Sequence, residues 1–162
     1  MIEITHIHPM LVHFPIVLFV VSILLFIYLQ VTNKDIITSK CLVMTAVAAL
    51  VLATVAAMAA AIFGDIALDA AVDKGFPKPP LEEHESLAGI TIALFSVLSL
   101  VQIIAIWKKI SLVGMRGWIF VLVMVAGFAS LATTAWHGGE LVYKYGVNVD
   151  AVKPAKPVAP NM

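Results

Sequence analysis

MLVHFPIVLFVVSILLFIYLQV, residues 10–31, holds one imidazole, His13, and no Asp, Glu, Lys or Arg. It exceeds the roughly 20 apolar residues that cross a bilayer as a helix. Hydrocarbon offers nothing to solvate an imidazole, so a histidine at the mouth of such a run needs a partner, a metal or a cofactor. Two more, His6 and His8, stand just upstream. The chain can be read outward from what those three face.

Three further apolar runs follow, at about 41–63, 87–107 and 118–136. Of the 162 residues, 62% are hydrophobic and 12% charged. A soluble domain carries about 25% charged residues. The expected fold is therefore all-α: an integral membrane antiparallel four-helix bundle, since short connections join the first and second runs and the third and fourth. Residues 1–150 form one four-span domain. Residues 151–162, alternating proline with small residues and lysine, read as a flexible tail. The N-terminus has no basic stretch and no small-residue cleavage site, so no removable signal peptide is expected.

Basic residues orient the bundle. Lys34 and Lys40 occupy the first loop, and Lys108, Lys109 and Arg116 the third. The middle loop is acidic, with Asp65, Asp69, Asp73, Glu82, Glu83 and Glu85 against Lys74 and Lys78. By the positive-inside rule the first and third loops are cytoplasmic, with both termini on the outer, periplasmic side. A net charge of zero gives no case for a nucleic-acid partner. The single cysteine, Cys41, excludes an internal disulfide and a thiolate metal cage.

This topology brings the five histidines to one end: His6, His8 and His13 at the first run, His84 before the third, His137 after the fourth. At 1.5 Å per residue His13 lies about 5 Å inside the apolar boundary, with His137 at a similar level. Pro15 is expected to kink the first turns and free a carbonyl near His13. In the second run Ala49, Ala53, Ala57 and Ala61 form one small-residue stripe, and Ala56, Ala60 and Gly64 another. Such stripes admit a neighbouring helix or a flat cofactor closely. Gly138-Gly139 reads as the end of the last span, and Pro77, Pro79 and Pro80 as an extended turn.

A b-type haem needs two imidazoles on different helices, wrapped by apolar side chains. His13 with His84 or His137 would supply them, with His8, His6 and Asp65 beside the site. Zinc or copper held by the histidines and Asp65 or Asp69 is the alternative cofactor, and helix packing or headgroup-level placement the alternative without one. No His-Glu-x-x-His motif supports hydrolytic zinc chemistry.

His8-Pro9-Met10-Leu11-Val12-His13-Phe14-Pro15-Ile16 resembles the opening of a bacterial family of four-span membrane proteins, domain of unknown function 2231. His137-Gly138-Gly139-Glu140-Leu141-Val142-Tyr143-Lys144-Tyr145-Gly146-Val147 is similar to its closing motif, and His84 to its mid-chain histidine. The resemblance covers all but the tail. It implies a four-span fold in the inner (cytoplasmic) membrane, with His8, His13, His84 and His137 as the functional set. The expected role is a haem b electron carrier rather than a stand-alone enzyme, exchanging electrons with quinone or another redox protein. The alternatives are a zinc- or copper-binding protein and a structural or accessory subunit of a larger complex.

Overall fold

The structure, a computed structural model, describes residues 4–35 and 38–149; the tail from residue 151 lies outside the described residues. A 3₁₀ turn at Ile4–His6 leads into α1 (Ile7–Leu11), α2 (His13–Val31), α3 (Lys40–Asp73), α4 (Lys78–Trp107) and α5 (Met115–Tyr143). Among the described residues the fold is all helical. Four stretches are long and apolar enough to cross a membrane: Ile7–Val31, Lys40–Asp73, Lys78–Trp107 and Met115–Tyr143.

The first span runs over Ile7–Val31. Val12, between α1 and α2, keeps helical angles and its N–H donates to His8 O at 3.1 Å; three residues on, Pro15 has no N–H to donate. α1 packs on α3, whereas α2 packs on both α3 and α5.

The later helices outrun the apolar segments. α3 has 34 residues, about 51 Å at 1.5 Å per residue, against a hydrocarbon core about 30 Å thick. Its continuation carries Asp65, Asp69 and Asp73, all exposed, as the acidic face read from their spacing. Gly75, at φ 89°, ends it in a conformation that other residues adopt only with strain. Pro77 is extended, but Pro79 and Pro80 lie inside the first turn of α4 rather than in a turn before it. Their missing N–H groups cost nothing at positions that have no helical partner. Gly138-Gly139 does not end the last span either: α5 runs through both to Tyr143. Leu141 is buried there with Ala71, Phe76, Leu81 and Val147 in a small second core at the histidine end.

In lipid, water drives little of the helix association, and close packing and interhelical hydrogen bonds carry it. α3 supplies the first through Ala46, Ala49, Ala53, Ala57 and Ala60, all buried. Ser22 Oγ donates to Ala46 O, joining α2 to α3 at 2.8 Å. Thr54 and Ser99 hydroxyls meet at 2.8 Å between α3 and α4. Phe19 and Phe95, both fully buried, stack at 4.1 Å in the middle of the bundle. On α4 the Thr91 hydroxyl lies 2.8 Å from Ser130 Oγ and 2.9 Å from Thr134 Oγ1 of α5. Thr91→Val keeps the shape and removes the hydroxyl. Interhelical bonds in membranes average about 0.6 kcal/mol, so a loss of about 0.5–1.5 kcal/mol is expected in a mild-detergent unfolding titration.

Candidate functional site

Helical phase decides which histidine faces inward. Successive helical residues turn by about 100°, so His8 and His13 would point some 140° apart even on one straight helix. His8 turns into the bundle and is partly buried, whereas His13 is exposed. His6 and His8 line an apolar cavity of about 420 Å³ at this end, and His84 lines it from α4. His13 and His137 are not among its walls. The depth read for His13 does not place it in the cavity: the outward face of α2 carries it away, as it does the exposed Phe14 and Val17.

His8 is held at two points. Its Nδ1–H donates to the Ala60 carbonyl at 2.7 Å, which leaves Nε2 with its lone pair. A Cβ on Gly64 would lie 3.0 Å from His8 Nδ1, so the buried glycine, one turn beyond Ala60, makes room for the ring. His84 has the matching arrangement against α5: a Cβ on Gly138 would lie 3.0 Å from its Cε1. The two rings stand edge to face, their centroids 6.2 Å apart and their planes at 87°. His84 Nδ1 is buried with no hydrogen-bond partner.

Much of the remaining wall is small and apolar, including Ala57, Ala61, Ala67, Ala88 and Ala135, with Ile16, Ile92 and Leu131 and the Thr91 and Thr134 side chains beside them. The small-residue stripe of the second run is thus both a helix contact and a cavity wall. Residues past Tyr143 close one side. Gly146, at φ 70°, turns the chain back, Val147 joins the second core, and Asn148 Nδ2 donates to Ala67 O at 3.0 Å. Asn148 Oδ1 and Thr5 Oγ1, both buried and without partners, belong to residues on the same walls. No pattern in the sequence pointed to Thr5 or Asn148, since one threonine and one asparagine near the chain ends carry no spacing signal.

His137 serves differently. Its Nδ1 lies 3.9 Å from Glu83 and 3.8 Å from Glu140, ion pairs only when the ring is protonated. Glu140 also faces Lys144 at 3.5 Å. That carboxylate, and then Tyr145, push the exposed Lys144 ammonium above its usual range. Asp65 and Asp69 are exposed on α3 and do not line the cavity. Among the described residues no three His, Cys, Asp or Glu side chains form a group that could hold a metal ion.

Neither a curated protein nor a solved structure matches the chain. The family model described as "Predicted membrane protein (DUF2231)" matches residues 5–151, which takes in every helix and both walls of the cavity, and the chain belongs to that family.

Proposed function

We propose that this chain is a b-type haem-binding electron-transfer protein or subunit of the bacterial inner membrane. In this reading it is an antiparallel four-span bundle with both termini and the histidine cavity on the outer side, and the lysine-bearing loops face the cytoplasm. The observation that carries the proposal is the His8–His84 pair across an apolar cavity.

The donor count favours haem over a bare ion. Zinc and copper sites draw three or four ligands from the protein. Haem brings four nitrogens of its own and asks the protein for two. Two imidazoles converge here, and no larger donor group forms among the described residues. Two imidazoles from different helices meet at the cavity, their centroids 6.2 Å apart. The volume, about 420 Å³, is within the range of cofactor pockets.

His8 and His84 would hold the iron, and the bound group would supply one-electron exchange. The chain's own part is positioning. The Ala60 carbonyl fixes the His8 tautomer and raises the basicity of Nε2, as partners of metal-bound histidines generally do. Alanine and glycine in the walls would let a flat ring approach the helix backbones. His6 lines the cavity without a hydrogen bond to either ring, and Thr5 and Asn148 offer polar atoms at its edge. Quinone or an outer-side redox protein would exchange the electrons.

Full-length protein, expressed with haem supply and purified, is expected to show a Soret band and an alpha band that sharpens on reduction. A colourless preparation from haem-replete cells would sink the haem reading.

A further inference from the structure

The end of the bundle away from the histidines has a second, smaller cavity, of about 40 Å³. Two amides meet it from helices that do not otherwise touch there. Gln30 lies at the end of α2 and Gln102 near the end of α4, 5% and 3% exposed. α2 and α4 are not neighbours in the bundle; each packs on α3 and α5 instead. Gln30 Nε2 donates to the Leu112 carbonyl in the connection between α4 and α5. Gly117 provides the space for that amide, since a Cβ there would collide with it. This leaves Gln30 Oε1 buried without a partner, and Gln102 Nε2 in the same state across the cavity.

A buried amide group without a partner is costly, so two on one small space call for a common partner. One is an acceptor and the other a donor. A cavity able to hold a probe sphere of about 10–15 Å³ accepts one water, provided polar groups line it. This one is larger than that, and Lys34, Asp35 and Ser111 from the adjoining connections line it beside the two amides.

We propose that the cavity binds an ordered water molecule that bridges Gln102 Nε2 to Gln30 Oε1. Gln102 donates to the water oxygen, and one water hydrogen is donated to Gln30. Water suits the site in either orientation of the Gln102 amide: were its oxygen turned inward, the water would donate to both. The bridge ties α2 to α4 and, through Gln30, to Leu112. It is independent of the haem reading, because no residue is shared between the cavities.

A high-resolution structure of the full chain in detergent or nanodiscs tests this directly. One water peak within hydrogen-bond distance of both amides is the expected result; direct amide contact, or a cavity that takes up xenon under pressure, overturns it. Thermal melts give a second reading. Gln102→Met and Gln30→Met should each lower the melting temperature, Gln30→Met by more because it also loses Leu112. The double variant should lose clearly less than the two drops combined, since neither orphan then remains. Additive drops would show that the two amides share no partner.

Discussion

Protein carrying His8→Ala or His84→Ala is expected to lose its low-spin haem spectrum completely, while His13→Ala and His137→Ala keep it. The division follows from the walls of the cavity. His8 and His84 face each other across it, His13 is exposed on α2, and His137 is turned to Glu83 and Glu140. On the proposed haem reading, removing one of the two imidazoles would leave the iron without a second strong-field ligand from the chain, so the alpha band should disappear even if some haem stays in the cavity. A structural histidine would behave otherwise, and imidazole in the buffer separates the cases. His8→Gly and His84→Gly leave ring-sized holes, and added imidazole should restore the low-spin spectrum in each. Thermal melts of all four alanine variants check that they fold. A spectrum lost in His13→Ala but retained in His8→Ala would overturn the assignment of His8 as a ligand.

The choice between His8 and His13 marks the limit of what the sequence makes legible. The four apolar runs and the alanine stripe are compositional or periodic, and each gave the corresponding feature of the fold: four long apolar helices and a close-packed α3. The convergence of histidines was also readable, because connecting four spans by short loops leaves little choice of end. Which histidine faces inward was not. That depends on which face of the first span meets α3: His8 reaches the Ala60 carbonyl, while His13, about 140° round the helix, is exposed. Proline and glycine were over-read as well. Pro79 and Pro80 break a helix only in its interior, and here they open one. Gly138 and Gly139 end a helix only where nothing holds the next turn, and Leu141 in the second core holds it.

The bundle can be seen as three contacts along one diagonal, between the first and third spans. His8 meets His84 at one end. About three turns further along each helix Phe19 stacks on Phe95. Gln30 and Gln102 approach the small cavity beyond. Diagonal helices stand too far apart for backbone contact, so only large or bridged groups span the gap. The aromatic pair fills it with carbon and separates two polar ends.

Gly138 and Gly139 offer the sharpest test of the cradle, because they adjoin in sequence and differ in surroundings. A Cβ on Gly138 would lie 3.0 Å from His84 Cε1 and 3.5 Å from Nδ1; on Gly139 it would meet nothing within 4 Å. Both sit inside α5, where alanine is favoured over glycine by about 1 kcal/mol. Gly139→Ala should therefore be neutral or slightly stabilising and leave the spectrum unchanged. Gly138→Ala must push the imidazole aside, and overpacking of this kind costs about 1–3 kcal/mol, which outweighs the helix gain. The ring can yield only by leaving its place opposite His8, which Ala60 and Gly64 hold, so the 6.2 Å spacing of the pair would change. The expected outcome is a lower melting temperature together with a weakened or shifted alpha band for Gly138→Ala alone. Gly64→Ala should act likewise from the opposite wall, by crowding His8 off the Ala60 carbonyl. Equal behaviour of Gly138→Ala and Gly139→Ala in both melt and spectrum would mean that the glycine does not position His84. The cost of a glycine inside a membrane helix would then have no return at this site.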